Sequence, residues 1–250
     1  LMSGENNQYS ENTRKVTMDV IGVVTSCFPE KFGIPRQAGV APSAPATIKL
    51  INGFIRKEMV RGLVTFSHIW IQFLFHESLL EGWKATIRPP RMGGGERVGI
   101  FASRSPHRPN HIGLSAVRLL GVRVSGDGVC LDITGVDLLD GTPVLDIIPY
   151  IPYSDCLEEA TRGWLPPPQQ EIEVEYSEQA ESFCRSYQMN NKRPLARLIR
   201  EVLLSDPRPS SQKDRRFEFG FLLWDVNVRW KVSGDTFLVI RCEMIEKTRM

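Results

Sequence analysis

The sequence predicts a mainly β protein that ends in a smaller α+β region. Up to about residue 150, apolar β-branched runs alternate with turn-forming residues, at the spacing of about eight to twelve residues that is typical of sandwiches and barrels. Helical periodicity is concentrated between residues 178 and 205. No G-x-G-x-x-G motif follows a strand, so a Rossmann fold is not expected. The predicted architecture is therefore a closed or nearly closed β structure followed by a small α+β domain.

Composition places the chain among ordinary globular proteins. Its 250 residues are 42% hydrophobic and 24% charged, with a formal net charge of +2, which suits one large domain or one medium and one small domain. No apolar run reaches the ~18 residues that span a bilayer, and the five cysteines are scattered without metal-ligand spacing. We therefore expect a cytoplasmic protein with no membrane segment and no metal. Residues 1–17 are polar and are expected to form a disordered tail.

The first two strands are predicted over Met18–Phe28 and Thr47–Ile51, because both runs are rich in apolar and β-branched residues. The loop between them contains Pro35, Arg36 and Gln37. Arginine can bind an anion, and a glutamine amide can bind a purine edge or a ribose. An ordinary connector whose polar side chains face water explains the same residues equally well.

The run Ile69–His76 is apolar on both alternating faces except at Gln72, which indicates a strand buried inside a barrel or a sandwich. His76 and Glu77 end this strand, where the mouth of the barrel is expected. A single histidine is more often a structural residue than a catalyst. The tract 84–96 contains paired prolines and consecutive glycines without a phosphate-loop lysine, so we interpret it as a mobile flap over a site.

The segment Phe101–Ser115 lies between two apolar runs and is rich in proline, histidine and arginine. Arg104 and Arg108 stay charged near neutral pH, and each offers five donors in a planar fork. A rigid loop that carries these groups and Asn110 suits an anion, a carboxylate or a base edge. The alternative is a solvated turn with incidental charges. We favour the functional interpretation, because loops between strands often carry function.

The next two strands are predicted over Leu114–Val124 and Val129–Val136, joined by a Ser-Gly-Asp-Gly turn that is typical of a hairpin. The following segment contains three carboxylates, Asp137, Asp140 and Asp146. Such a group could suggest a divalent cation, but EF-hand spacing is absent and turn formation explains Asp140. We therefore interpret them as ligand hydrogen-bonding partners or turn formers rather than metal ligands.

Three consecutive prolines at 166–168 indicate a domain boundary. Beyond it, helices are predicted over 178–190 and 194–205, and a final pair of strands over Phe217–Trp230 and Phe237–Ile245. The second helix has an apolar stripe beside a basic ridge.

Cations interleaved with tryptophans make this C-terminal part suitable for binding single-stranded or loop RNA, where bases stack and phosphates pair with basic side chains. The alternative is that Trp224 and Trp230 are core residues, and for Trp224 that alternative is favoured, because it lies inside an apolar run. The arginines expected to contact RNA are Arg193, Arg197, Arg200, Arg208 and Arg229.

Several blocks of the sequence resemble one known family. They are FGIPRQ, FSHIW, FHE, RSPHRPNHIGLS, DLLDGTPVLDIIPY, DPRP and DVNVRW. From about Val20 to Ile245 the chain resembles the TrmO family, also called YaeB or TsaA-like. The resemblance implies transfer of a methyl group from S-adenosylmethionine to N6 of threonylcarbamoyladenosine 37, in the anticodon stem-loop of tRNA. It also implies a homodimer, a β-barrel catalytic domain at 18–168, unlike the Rossmann-type methyltransferases, and a tRNA-binding α+β domain at 176–250.

The resemblance also implies a set of donor-binding residues. The donor has a sulfonium, an amino-acid end, a ribose and an adenine. An arginine can bind the carboxylate of the donor, and aspartates and carbonyls can bind its amino and hydroxyl groups. Leucines can pack against its adenine. The implied residues are Pro35, Arg36, Gln37, His76, Glu77, Arg104, Leu114, Asp137, Leu138, Leu139 and Asp140.

The acceptor nitrogen needs alignment with the methyl carbon and a group that takes its proton. Our hypothesis is that Arg104, Arg108 and Asn110 position donor and acceptor, with Asp146 or Tyr150 as proton acceptor, because all of them lie around the expected mouth. Two alternatives stay open. One is a non-enzymatic RNA-binding module, and the other is a metal-dependent phosphoesterase that uses the histidines and aspartates of this region.

Overall fold

A computed structural model describes residues 15–51, 53–89, 96–126, 128–165, 172–208, 218–234 and 236–245. It consists of a closed β barrel followed by an α+β region, which confirms the predicted fold class. Most of the expected tail, part of the expected flap and the three prolines at 166–168 lie outside these residues. Within the described part of the chain, no helix is long and apolar enough to cross a membrane.

Six strands close the barrel in the spatial order β1-β2-β7-β6-β3-β8, and every neighbouring pair is antiparallel. Closure leaves no free sheet edge, so the backbone hydrogen bonds are satisfied within the barrel. A two-stranded ribbon of β4 and β5 lies between β3 and β6 in the chain. The strands are β1 (Gly22–Ser26), β2 (Pro45–Leu50), β3 (His68–Leu74), β4 (Thr86–Ile87), β5 (Val98–Gly99), β6 (Ile112–Ser125), β7 (Gly128–Thr134) and β8 (Pro143–Pro149).

Alternation along β3 shows how the barrel is filled. Ile69 and Ile71 are fully buried and face the interior, whereas Trp70 and Gln72 point outward and are partly exposed. The expectation that both faces of this strand would be buried is therefore wrong for the outer face. Side chains on alternate positions point to opposite sides of a sheet, so this outer face forms part of the barrel wall.

The loops that carry most of the predicted site residues all leave the same end of the barrel. Ser26 at the end of β1 pairs with Ala46 of β2, and Leu74 at the end of β3 pairs with Ile112 of β6. The segment 135–142 joins β7 to β8 at this end as well. Antiparallel pairing brings each strand end beside the start of its neighbour, and the three loops therefore converge.

The C-terminal part is a four-stranded sheet in the order β10-β11-β12-β9, with β9 parallel to β12 and helices packed against it. The sequence did not predict β9. The apolar stripe of the second long helix is confirmed, since its five large apolar residues are fully buried. The elements are α1 (Pro152–Asp155), β9 (Glu173–Tyr176), α2 (Glu178–Asn191), α3 (Leu195–Leu204), β10 (Glu218–Leu223), β11 (Val226–Ser233) and β12 (Thr236–Met244).

The single strand predicted over Phe217–Trp230 is wrong, because a turn at Trp224 and Asp225 divides it into β10 and β11. Trp224 has φ of 54°, a left-handed conformation that a bulky residue rarely adopts. Its backbone N–H donates to the carbonyl of Cys27 in the barrel at 2.8 Å, which ties the turn to the first domain. Trp230 is fully buried in the C-terminal core.

The barrel and the α+β region pack against each other. The Glu30 carboxylate accepts a hydrogen bond from the backbone of Leu222 at 2.9 Å, and Glu201 on α3 accepts from both the backbone and hydroxyl of Ser43. Gly33 approaches Phe221 so closely that a Cβ on the glycine would lie 3.0 Å from the phenylalanine side chain. The buried residues of both parts form one continuous hydrophobic core.

Candidate active site

A cavity of about 690 Å³ opens at the end of the barrel where the three loops converge. The loop after β1 supplies one wall, the end of β3 and the turn after it a second, and the arginine-rich loop before β6 a third. The segment between β7 and β8 completes the lining. The predicted residues that line it are Pro35, Arg36, Gln37, His76, Glu77, Arg104, Arg108, Leu114, Asp137, Leu138 and Leu139.

The polar side of the cavity is organised around Arg104 and Asp137. Arg104 donates a hydrogen bond through Nη1 to the side-chain carbonyl of Gln37, which fixes the guanidinium across the mouth. Asp137 accepts a hydrogen bond from the Ser115 hydroxyl at 2.6 Å. Burial raises the pKa of Asp137, while the Ser115 hydrogen bond and the Arg104 charge oppose that rise. A cationic group and a desolvated carboxylate therefore line the same cavity.

A close contact between Gly113 and Phe73 shapes the apolar side of the cavity. A Cβ on Gly113 would lie only 2.2 Å from the phenylalanine ring, so glycine is required at this position of β6. The Phe73 ring packs edge-on against Phe75 at 4.9 Å between centroids. The glycine gives the ring room, and the ring in turn lines the cavity beside Leu114.

The rim near the turn after β3 carries both signs of charge. Lys31 lies 3.9 Å from Glu77, and His76 lies 3.8 Å from the same carboxylate. His107 lies 3.7 Å from Glu81 on the same turn. Lys31 and the two carboxylates are about half exposed, so these pairs contribute little to stability, but they set the polarity of the rim.

The residues present fit S-adenosylmethionine. The volume falls within the ~300–1,000 Å³ typical of ligand pockets. Arg104 suits a carboxylate, Asp137 suits an ammonium or a hydroxyl, and the leucines suit an adenine. Within the described residues, no group of three or more histidine, cysteine, aspartate or glutamate side chains is arranged to hold a metal ion.

Asp140 and Asn110 lie beside the cavity rather than in its lining. Asp140 accepts a hydrogen bond from the backbone of Ser26 at 2.9 Å, and its own N–H donates to the carbonyl of Phe28. It therefore closes the end of the barrel as a turn former. Asn110 lines a smaller adjoining cavity of about 210 Å³ together with Arg108.

Asp146 and Tyr150 lie at β8, on the wall that continues from the cavity. Asp146 is paired in register with Gln72, which lines the cavity. Tyr150 packs against Trp70, another lining residue, with 5.6 Å between ring centroids. Neither side chain lines the cavity itself. Desolvation raises the pKa of Tyr150. The phenol is therefore protonated at neutral pH.

Two of the five arginines expected to bind RNA are held by carboxylates of the C-terminal part. Arg193 donates to the Tyr187 hydroxyl at 2.9 Å and lies over the Trp224 ring. Arg208 donates two hydrogen bonds to Asp206, at 2.7 and 3.0 Å. These two guanidinium groups support the structure of the region in which they lie.

The other three arginines are more exposed. Arg197 is paired with Glu201 at 2.9 Å, and Arg229 lies 3.8 Å from Glu218. The Arg200 side chain is exposed and makes no hydrogen bond or ion pair with any residue that the structure describes, whereas its backbone interacts with the Tyr176 hydroxyl.

Sequence reasoning missed several lining residues, namely Trp70, Gln72, Phe73, Gly113, Ser115 and Thr142. Trp70, Gly113, Ser115 and Thr142 belong to the motif blocks that carry the family resemblance, so those blocks pointed to the right segments. The alternation of β3 could have placed Trp70 and Gln72 on one face, but nothing in the sequence says that this face meets a cavity.

Two family models match the chain, tRNA-methyltransferase O N-terminal domain over residues 23–156 and TrmO C-terminal domain over residues 169–245. A Pseudomonas aeruginosa protein, RcsF, whose name describes an S-adenosylmethionine-dependent methyltransferase, is 45% identical over 211 residues, covering 84% of this chain and 90% of that protein. The Escherichia coli tRNA (adenine(37)-N6)-methyltransferase is 41% identical over 226 residues, covering 89% of this chain and 96% of that enzyme.

A crystal structure of TrmO from Pseudomonas aeruginosa superposes with a TM-score of 0.77 at 39% identity, covering 92% of this chain and 99% of that one. Similarity therefore extends over both parts of the chain and through the three-dimensional fold. The chain belongs to the TrmO family of tRNA methyltransferases.

Proposed function

We propose that this protein transfers a methyl group from S-adenosylmethionine to N6 of adenosine 37 in tRNA, and that this adenosine carries a threonylcarbamoyl group. The observation that carries the proposal is that Arg104, Arg108 and residues 112–115 of the motif block line a cavity whose polar and apolar groups fit this methyl donor. Relatives named as tRNA (adenine(37)-N6)-methyltransferases support the acceptor position.

The donor is proposed to lie against Arg104, Asp137 and the leucines of the cavity. When bound, S-adenosylmethionine supplies an electrophilic methyl group on a sulfonium, whose positive charge is lost on transfer. The apolar side of the cavity excludes water around that charge. Arg36 and Gln37 close the cavity from the loop after β1, and the fixed Arg104 side chain orients an anionic end.

The acceptor is proposed to enter beside Arg108 and Asn110, which adjoin the donor cavity. Its N6 lone pair is delocalised into the purine, so alignment with the methyl carbon contributes much of the rate. Asp146 is the proposed proton acceptor, because it carries a carboxyl group and its register partner Gln72 lines the cavity. Tyr150 is proposed to donate or relay a hydrogen bond, since its pKa is raised.

We propose the α+β region, residues 176–250, as the part that binds tRNA, and the barrel, residues 18–168, as the part that binds the donor. The exposed Arg200 is the proposed phosphate contact of α3, with Arg197 and Arg229 beside it on the same region. Phosphates are bound chiefly through such exposed cations. Arg193 and Arg208 are proposed to shape this surface, because each is held by an internal carboxylate.

A homodimer is proposed as well. The outer barrel wall exposes large apolar side chains, among them Leu120 (58% exposed) and Ile148 (38%). Exposed apolar side chains on one wall are typical of an interaction surface. Sedimentation of the full chain tests this, since substitution of Leu120 by glutamate should shift it toward monomer. A location in the cytoplasm remains a prediction.

The function is tested by mass spectrometry of nucleosides from tRNA incubated with the protein and isotope-labelled S-adenosylmethionine. We expect the label on N6 of nucleoside 37 when the threonylcarbamoyl group is present and far less when it is absent. Label elsewhere, or none, would exclude the proposal. Calorimetry with the donor alone separates this enzyme from an RNA-binding module, which would not bind the donor.

A further inference from the structure

The smaller cavity, about 210 Å³, adjoins the donor cavity and shares two lining residues with it, Arg108 and Ile112. Its other lining residues are Phe101, Pro109 and Asn110. We call it the outer cavity. Because Arg108 and Ile112 line both spaces, a ligand that crosses from one to the other passes these two residues.

The outer cavity has one cation and largely apolar walls. Phe101 is 78% exposed, so its ring is accessible to a ligand. Arg108 is fixed by a hydrogen bond of 2.7 Å from Nη1 to the carbonyl of Ser103. No carboxylate among the described residues pairs with this guanidinium, so its remaining donors are available to a ligand.

The loop presents Arg108 from a rigid backbone. His111 adopts φ of 51°, is buried, and its Nδ1 lies 2.9 Å from the carbonyl of Pro106. Its backbone N–H donates to the carbonyl of Arg108 at 3.0 Å, and its own carbonyl accepts from Phe75 at 2.8 Å. A preorganised guanidinium binds a carboxylate without the cost of ordering its loop.

We propose that the outer cavity receives the amino-acid substituent of the acceptor nucleoside, and that Arg108 pairs with its carboxylate. This inference rests on the proposed function. The substituent is attached at N6, which must lie near the donor cavity, so the substituent lies next to the boundary that Arg108 lines. The Phe101 ring offers an exposed apolar surface to the purine. Arg108 thereby determines specificity for a carboxylate-bearing adenosine.

The test uses anticodon stem-loop RNAs that carry threonylcarbamoyladenosine or its neutral carboxamide analogue. We expect the wild-type protein, without donor, to bind the carboxylate RNA about 10- to 100-fold more tightly. Arg108→Gln should remove that preference, lowering affinity for the carboxylate RNA and changing affinity for the carboxamide RNA less than about threefold. Arg108→Lys should recover part of the preference, because the charge is retained.

Arg123→Gln, which removes an exposed arginine paired with Asp132 on the barrel, is the control and should leave the preference unchanged. Urea unfolding checks that each variant folds. The inference would be overturned if Arg108→Gln lost affinity equally for both RNAs, or if the wild-type protein bound the two RNAs equally tightly. A wild-type protein that fails to methylate the threonylcarbamoyl RNA would instead overturn the proposed function.

Discussion

Arg36 in the donor cavity donates a hydrogen bond from Nη2 to the backbone carbonyl of Arg208, at 3.2 Å across 172 positions of sequence. Arg208 is itself held by Asp206, which is 3% exposed and has φ of 48°. A loop that lines the cavity is thus attached to the C-terminal region. Deletion of residues 176–250 would remove this contact from the donor cavity, so point substitutions test the two parts of the chain more cleanly.

Asp206→Asn should lower the free energy of unfolding by about 2 kcal/mol, because it removes the charge that Arg208 needs in a largely buried place. Asparagine tolerates the left-handed backbone, so the loss reflects the carboxylate. The measurement is urea unfolding at pH 7. Asp132→Asn, which breaks the exposed pair with Arg123, is the control and should cost less than about 1 kcal/mol. Equal effects of the two substitutions would contradict the prediction.

Gly113→Ala should destabilise the barrel by about 1–3 kcal/mol, since the new methyl group would lie within 2.2 Å of the Phe73 ring. Gly121→Ala lies on the same strand with no atom within 4 Å of the added Cβ, and it should be nearly neutral. Adding Phe73→Leu to Gly113→Ala should restore part of the loss. If Gly113→Ala unfolds at the wild-type urea midpoint, the close contact does not constrain the strand.

Arg104→Gln should weaken S-adenosylmethionine binding by about 10- to 100-fold, because a charged hydrogen bond to the donor carboxylate would be lost. Isothermal titration calorimetry of the full chain gives the affinity. Arg123→Gln should bind the donor as the wild type does. Unchanged affinity in Arg104→Gln would place the donor carboxylate elsewhere in the cavity.

The raised pKa of Asp137 predicts how the stability of the protein depends on pH. Burial raises its pKa, so the folded protein holds this proton more tightly than the unfolded chain does. The contribution of the protonated Asp137 carboxyl to folding stability is complete below the pKa in the unfolded chain, about 3.9. It is lost as the pH rises through the higher pKa in the folded protein. Asp137→Asn lacks this titration. Its stability relative to wild type should therefore increase between pH 4 and neutral pH.

Urea unfolding of both proteins from pH 4 to pH 8 measures that difference, and a difference that does not change with pH would contradict the assignment. The same variant should bind S-adenosylmethionine more weakly at neutral pH, because a carboxylate is a better acceptor than an amide for a cationic donor. An Asp137→Asn variant that is more stable at neutral pH but binds S-adenosylmethionine more weakly would show that Asp137 serves donor binding rather than folding.

Arg200→Gln should weaken tRNA binding and reduce the slope of log affinity against log salt by about one, as expected for one phosphate contact. Its stability should be unchanged, because the side chain has no partner among the described residues. Arg193→Gln should instead lower stability, since it removes the bonds to Tyr187 and Asp225. Filter binding at several salt concentrations distinguishes the two, and an unchanged slope in Arg200→Gln would exclude it as a phosphate contact.

Local sequence was sufficient for much of the fold. The Ser-Gly-Asp-Gly turn predicted the hairpin of β6 and β7, and the periodicity of Leu195–Leu204 predicted a helix with one buried face. Prediction from local sequence failed where tertiary contacts override the strand propensity of the residues. The run ending at Trp230 looks like one strand, but the chain turns at Trp224 because that turn is anchored on the carbonyl of Cys27 in the barrel.

By itself, the sequence determined the fold class, the family and the segments that carry the chemistry, because turn residues, periodicity and motif blocks are local properties. Only the tertiary structure decided which of these side chains meet. Barrel closure brings Gln37, Arg104 and Asp137 to one cavity. Asp140 instead accepts a hydrogen bond from the backbone of Ser26 and does not line the cavity. The register of antiparallel strands and the packing of the two parts set those distances, and both depend on contacts between residues far apart in the chain.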